Sequence, residues 1–214
     1  MAGPFTALRA ERVRDNLERV RDRIAAAGRD PADVEICAAT KYVPAEELPA
    51  LADGGVELVG ENRAQDLLAK QELHRELFTW DFIGALQSRK VRDVAPAVRL
   101  IHSVASDSAL RQLERHPARE VLVQINLAGE EVKAGIAPEE LRSFIARCPV
   151  PVSGLMTMPP LVERAEDNRR HFARLAELAA EHALPRLSMG TTQDYPVAVE
   201  EGATIVRLGT VLYV

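Results

Sequence analysis

The chain is short of the features that mark several whole classes of protein. It has two cysteines in 214 residues, Cys37 and Cys148. They are too few for a disulfide framework and lack the C-x-x-C spacing of a zinc site or a thioredoxin-like motif. Both read as small core hydrophobes. No apolar run reaches the roughly eighteen residues that a membrane-spanning helix needs. The opening segment, up to Ile24, is charged throughout and contains no apolar stretch of the signal-peptide kind. Neither export nor membrane insertion is expected, and the cytoplasm is the expected compartment. The net charge of −5 arises from interspersed acids and bases, so no broad basic face is offered to nucleic acid or to an anionic membrane. The G-x-G-x-x-G fingerprint of a dinucleotide fold is missing too, and no linker or low-complexity tract divides the chain.

What is present is 47% hydrophobic and 28% charged, ample for a sizeable core. Length alone allows one large domain or two small ones, so periodicity must decide. Val13, Leu17, Val20 and Ile24 mark an amphipathic helix that ends at Gly28. Apolar runs then alternate with helical segments. Strands are expected at 35–41, 56–60, 79–84, 98–103, 120–126, 152–156, 187–190 and 204–209. Helices are expected at 45–53, 61–76, 90–95 (stopped by Pro96), 107–115, 138–147, 162–182 and 196–201. His171 and His182, in the longest of these helices, are expected to be solvated. Eight alternations predict an α/β fold, a single (β/α)8 TIM-type barrel over residues 1–214, with residues 1–28 as an extra leading helix packed on it. An open doubly wound sheet is the rival, and eight strands suit closure better.

Ligands of such barrels bind where strands end, at their carboxyl side. There the sequence gathers Lys41, Asn62, Gly84, Asn126, Met156, Ser188 to Gly190, and Arg207 to Thr210. Alternation puts Cys37, Ala39 and Lys41 on one face, which aims the Lys41 amine into whatever that strand lines. An amine there can trap a carbonyl as a Schiff base if burial or a neighbouring cation releases its proton; otherwise it is a surface lysine at a loop start. Ser188-Met189-Gly190-Thr191-Thr192 and Arg207-Leu208-Gly209-Thr210 stand where such barrels cradle a phosphate. Glycine there lets backbone N–H groups approach the oxygens, and hydroxyls add donors. Good turn residues alone would account for the same letters. Arg207 shares a face with Ile205 and Gly209. If that face lines the barrel, its guanidinium needs an acceptor inside, and a salt bridge from Glu61 is one source. Past the third strand, Ser88 reads as a helix N-cap.

In order along the chain, several stretches together resemble the pyridoxal phosphate homeostasis protein family. They are Ala39-Thr40-Lys41, Gly60-Glu61-Asn62, Phe82 to Lys90, Gln124-Ile125-Asn126 with Lys133 to Ile136, Gly154 to Met158, Leu187 to Gly190, and Val206 to Thr210. The resemblance implies a barrel like the N-terminal domain of alanine racemase and pyridoxal 5'-phosphate as cofactor. It implies that Lys41 forms the Schiff base, that Arg207 faces the pyridine nitrogen, and that Asn62 and Met156 flank the ring. Thr192, Gly209 and Thr210 would hold the phosphate, with Ser188 nearby and Gly190 in the same loop. Four positions depart from the family pattern: Arg63 replaces a tyrosine, Asp81 a histidine, and Thr191-Thr192 a Met-Ser pair. The chain also stops just past the eighth strand, so a terminal helix is expected to be missing or shortened.

An arginine at the pyridine nitrogen weakens the ring as an electron sink. A racemase needs two opposed acid/base groups, of which Lys41 is one, and Tyr42, Tyr195 and Tyr213 lack the context to be the other. The expectation is therefore a cofactor-binding homeostasis protein without turnover that hands the cofactor to apo-enzymes. A weak amino-acid racemase and a cofactor-free Schiff-base aldolase are the alternatives.

Overall fold

A computed structural model of the chain describes residues 4–128 and 134–214. A leading helix, α1 (Ala10–Ala26), comes first. Four strand–helix units follow: β1 (Glu35–Ala39) with α2 (Leu48–Asp53), β2 (Leu58–Glu61) with α3 (Ala64–His74), β3 (Thr79–Phe82) with α4 (Val91–Val94), and β4 (Leu100–Val104) with α5 (Asp107–Arg115). The second half continues with β5 (Val121–Gln124) and α6 (Leu141–Arg147), β6 (Val152–Met156) and α7 (Arg169–Glu181), β7 (Arg186–Thr191) and α8 (Tyr195–Glu200), and β8 (Ile205–Leu208) with a single turn, α9 (Thr210–Tyr213). Neighbouring strands pair in parallel in chain order, and β8 returns to β1 with Cys37 opposite Arg207. The sheet is thus a closed barrel, as the rhythm of the sequence predicts.

Closure divides the apolar residues into two sets by the two-residue period of each strand. Cys37, Leu58, Leu100, Leu122, Met156 and Ile205 meet inside the barrel. Their strand neighbours, among them Val59, Ile101, Val123, Leu155 and Val206, point outward and pack beneath the helices. A strand buried on both faces has no polar side to show, which is why these stretches read as continuous apolar runs. The stripe of α1 lies in the outer set: Val13, Leu17, Val20 and Ile24 are all buried. Asn16, on the same face, donates from Nδ2 to the carbonyls of Leu212 (3.2 Å) and Val214 (3.1 Å), supplying partners to carbonyls at and just past the end of α9 that a helix terminus leaves unpaired.

Several boundaries differ from expectation for local reasons. Lys41 lies in a turn beyond β1, not in the strand. Ser88 opens a 3₁₀ turn (Ser88–Lys90) without capping it, and Pro96 sits inside a second 3₁₀ turn (Ala95–Ala97) instead of ending α4 outright. The largest departure is the helix expected from residue 162, which starts only at Arg169 after a 3₁₀ turn (Ala165–Asn168). Asn168 donates to the carbonyl of Pro160 (3.1 Å) and to Asp194 (2.9 Å), pinning the preceding segment as a loop. His171, expected in solvent, is buried on α7.

Because α1 contributes a full apolar stripe to the outer core, truncating it should cost as much as truncating a strand. Ile24→Ala and Leu122→Ala are each expected to lower unfolding free energy by about 2–5 kcal/mol, measured by urea denaturation. A loss of only tenths for Ile24→Ala would mean that α1 is an appendage.

Candidate functional site

Two buried polar assemblies outside the barrel lumen fix the loops at the carboxyl ends of the strands. The first stands on Glu61, whose side chain points outward from β2 and is completely buried. Lys70 of α3 forms an ion pair with it and donates to the Thr40 carbonyl (2.7 Å). Thr40 Oγ1 donates to one Glu61 oxygen (2.7 Å), and the other oxygen accepts the Asn62 N–H (3.2 Å). Thr40 precedes Lys41 and Asn62 follows Glu61, so one buried pair sets both walls of the site. This is also why Glu61 is not the acceptor for Arg207: its carboxylate faces α3. The second assembly stands on Asp194, which accepts the N–H (2.7 Å) and hydroxyl (3.0 Å) of Thr191 on one oxygen and the Asn168 amide on the other. Thr192 Oγ1 accepts the Gly209 N–H (3.2 Å), tying the loop after β7 to the loop after β8.

Between these loops lies a cavity of about 320 Å³, at the lower end of the range for small-molecule sites. Six of the residues singled out from the sequence line it: Lys41, Asn62, Thr192, Arg207, Gly209 and Thr210. The Lys41 side chain stands exposed at the mouth, its Nζ 4.8 Å from the centroid of the Tyr42 ring, a cation–π contact. Arg207 lies at the floor. Thr210 opens α9, whose first N–H groups have no intrahelical acceptor. Asn62 Oδ1 is buried without a hydrogen-bond partner among the described residues, an unmet acceptor on a residue that lines the cavity.

Three other singled-out residues stand behind this wall. Met156 belongs to the barrel interior, and Ser188 is fully buried beneath Arg207. Gly190 has φ +89°, and a Cβ there would lie 2.7 Å from the Ala198 Cβ and 2.9 Å from the Tyr195 Cα. Glycine at 190 thus serves the packing of α8 on β7. Lys133, part of one matching stretch, lies outside the described residues. Gly84 acts by close approach: a Cβ there would sit 2.0 Å from the Asn62 carbonyl oxygen. Sequence reasoning missed Phe5, Ile83, Met158 and Leu161, which also line the cavity. Phe5 reaches it through an N–H bond to the Tyr42 carbonyl (2.8 Å) and ring contact with Tyr213 at 5.0 Å. Its only signal is an aromatic residue ahead of a charged helix.

Arg207 is the electrostatic centre. Nη1 donates to Ser188 Oγ (2.5 Å), while Nη2 reaches the Thr157 carbonyl (2.9 Å) and Met158 Sδ (2.8 Å). No carboxylate among the described residues pairs with it, and burial pushes its pKa down to about 10, which leaves it a cation at neutral pH. Below it, His102 bridges Ser188 and Asp81. Burial would raise the Asp81 carboxyl, but hydrogen bonds from His102 and Arg99 overcome this and hold it below the usual carboxylate range. Burial is also the main influence on His102, and it lowers the imidazole pKa in spite of Asp81. Asp81, one of the departures from the family pattern, is therefore the anchor of a buried network.

The profile of the alanine racemase N-terminal domain family matches residues 8–214. The pyridoxal phosphate homeostasis protein of Aquifex aeolicus is 40% identical over 219 residues, covering 95% of this chain and 96% of that protein. The structure of PipY from Synechococcus elongatus PCC7942 with PLP bound is 32% identical, with a TM-score of 0.77 over 91% of this chain and 100% of that one. The chain therefore belongs to the alanine racemase N-terminal domain family and, within it, to the pyridoxal phosphate homeostasis proteins. D-threo-3-hydroxyaspartate dehydratase from Delftia sp. HT23, 18% identical with a TM-score of 0.68 over 100% of this chain and 62% of that one, shares the fold alone.

Two outcomes are expected from these networks. Lys70→Met leaves Glu61 buried without its counter-ion and should destabilise the fold by about 3–5 kcal/mol in urea titrations; a change below 1 kcal/mol would show that the pair does not brace the site. A lowered His102 pKa means that the unfolded chain, with a histidine near pH 6.5, binds more protons than the folded one as pH falls. Stability should therefore decline below about pH 6.5 by up to about 1.4 kcal/mol per pH unit, with Asp81 adding to the loss only below about pH 4. His102→Asn should flatten the slope between pH 7 and 5.5, read from urea midpoints at each pH.

Proposed function

We propose that the chain binds pyridoxal 5'-phosphate in this cavity, held reversibly by Lys41 as a Schiff base, and serves in vitamin B6 homeostasis by storing and handing on the cofactor. The observation that carries this reading is the meeting of a primary amine, a hydroxyl- and amide-rich turn and a buried cation around one cavity. The open acceptor at Asn62 fits a group that brings its own donor. When bound, the cofactor supplies an aldehyde that captures amines. Lys41 provides the amine that condenses with it, with loss of water, and its position at the mouth leaves the linkage within reach of water or an incoming amino acid. Thr192 and Thr210 provide hydroxyl donors for the phosphate, Thr210 adds an N–H, and Gly209, whose own N–H bonds Thr192 Oγ1, fixes the turn that presents them. Arg207, a lasting cation at the floor, would stand toward the pyridine nitrogen and oppose its protonation.

No turnover is expected of the chain: among the described residues no Asp, Glu, His or Cys lines the cavity, so none of these stands opposite Lys41 as an acid/base partner. Tyr42 lies on the same side as Lys41, and the Tyr213 hydroxyl is committed to the Ala39 carbonyl (3.0 Å). The barrel with α1 acts as one cofactor-binding domain of the cytoplasm, with apo-enzymes as recipients.

Protein incubated with pyridoxal 5'-phosphate and desalted should show a visible absorption band that Lys41→Ala loses, and borohydride should fix the cofactor's mass on the Lys41 peptide. In deuterium oxide, exchange of the amino-acid Cα proton should not exceed the free-cofactor rate. A colourless protein that cannot be reconstituted overturns the assignment, and Cα exchange well above the control would make it a racemase.

A further inference from the structure

The barrel lumen below the cavity holds a continuous line of polar groups that the functional reading leaves unexplained. Arg207 Nη1 meets Ser188 Oγ at 2.5 Å, Ser188 Oγ meets His102 Nδ1 at 2.8 Å, and His102 Nε2 meets Asp81 Oδ2 at 3.0 Å. Asp81 also accepts from Arg99 Nε (3.0 Å) and Nη2 (2.7 Å), and Arg99 pairs with Glu35 at the opposite end of the barrel. Ser188, His102 and Asp81 are each fully buried. They come from β7, β4 and β3, so no local sequence motif contains them.

Donor and acceptor chemistry fixes every proton in this line. A guanidinium only donates, so the Ser188 oxygen must accept from Arg207. The Ser188 proton then points to His102 Nδ1, which must be bare, and the imidazole proton resides on Nε2, facing the carboxylate. Asp81, with two arginine N–H groups on it, is ionised. The alternative tautomer would aim two donors at Ser188 and strand its hydroxyl proton in a closed interior, where an unpaired polar group is costly. The Ser–His–Asp composition is no nucleophilic triad, since Ser188 has no exposed surface.

We infer that Ser188, His102 and Asp81 are positioning residues for Arg207: a hydrogen-bond chain with a single direction, anchored by Arg99, that holds the guanidinium in one orientation at the cavity floor. Among the described residues Arg207 has no carboxylate to orient it and no oxygen-bearing side-chain partner besides Ser188. The chain supplies orientation without neutralising the cation, leaving its charge available to the ligand. The functional consequence rests on the reading that Arg207 faces the ring nitrogen of pyridoxal 5'-phosphate.

The test has one arm without cofactor and one with it. In the cofactor-free protein, long-range ¹H–¹⁵N spectra should show His102 as the neutral Nε2–H tautomer at pH 7, assigned by loss of the signal in His102→Asn. Asp81→Asn should move the proton to Nδ1, because an amide can turn its N–H toward Nε2, as the corresponding change does in serine proteases. Ser188→Ala should broaden or shift the Arg207 Nε–H resonance. In the second arm, Ser188→Ala and Asp81→Asn should bind pyridoxal 5'-phosphate about tenfold or more weakly than wild type at temperatures where both are folded by circular dichroism, while Ser188→Thr, which keeps the hydroxyl, should restore much of the affinity. A charged or Nδ1–H His102 in wild type, an Arg207 resonance unmoved by Ser188→Ala, or wild-type affinity in both variants would each overturn the inference. If wild type takes up no cofactor, the functional reading fails, and the first arm still decides whether the chain orients Arg207.

Discussion

A guanidinium sealed into the mouth of a barrel with no carboxylate beside it among the described residues is the constraint on which the rest of the structure depends. Burial without a counter-ion is among the costliest arrangements open to a charged side chain. At Arg207 it is tolerated because a serine oxygen, a backbone carbonyl and a thioether surround the head group and because the lumen beneath supplies a polar backing. A dry floor also strengthens whatever the cation does to a ligand, since interaction energies rise as the effective dielectric falls. The apolar set of Cys37, Leu58, Leu100, Leu122, Met156 and Ile205 supplies that dryness.

Around this floor the chain builds a braced frame and leaves one exposed amine. Glu61 with Lys70, and Asp194 with Asn168, lock the turns that carry Asn62, Thr191 and Thr192. Lys41 follows a locked residue, Thr40, yet stands exposed with an aromatic face as its neighbour. A braced, donor-rich turn beside an accessible amine suits the reversible capture proposed above. An amine buried beside a general base would suit chemistry on the captured group instead.

The barrel was legible because two periods alternate cleanly along the chain: apolar runs such as Ile36 to Ala39 and Leu122 to Ile125, with helix stripes such as Val13, Leu17, Val20 and Ile24 between them. The cavity residues at strand ends were legible for the same reason, since closure places every strand terminus on one rim. Met156 and Ser188 were singled out from their place at strand ends and from the family resemblance, and sequence parity reports only which face a side chain takes. It does not say how deep along the barrel axis the residue sits, and both lie one layer below the wall. Asp81, His102 and Arg99 were invisible as a group, being contributed by two strands and a loop that only closure brings together. The late start of α7 escaped too, because its cause is a side-chain amide reaching Pro160 and Asp194, a tertiary contact that overrides helix propensity.

Asp81 shows how a departure from a family pattern can be absorbed without loss of the site. A carboxylate in a sealed lumen needs cationic or N–H partners on both oxygens, and here Arg99 supplies two donors and His102 a third. Arg99 stands just before β4 and reaches Glu35 on β1 as well, so the charges along the lumen alternate from the barrel's base to its mouth: Glu35, Arg99, Asp81, neutral His102, Arg207. Alternation allows an unpaired arginine at the top, because the negative charge below it is already shared with Arg99 and separated by a neutral imidazole. Were His102 charged, two cations would meet at one serine oxygen and the arrangement would fail. The neutrality of a single buried histidine is thus what lets the barrel keep a free positive charge where the ligand cavity begins.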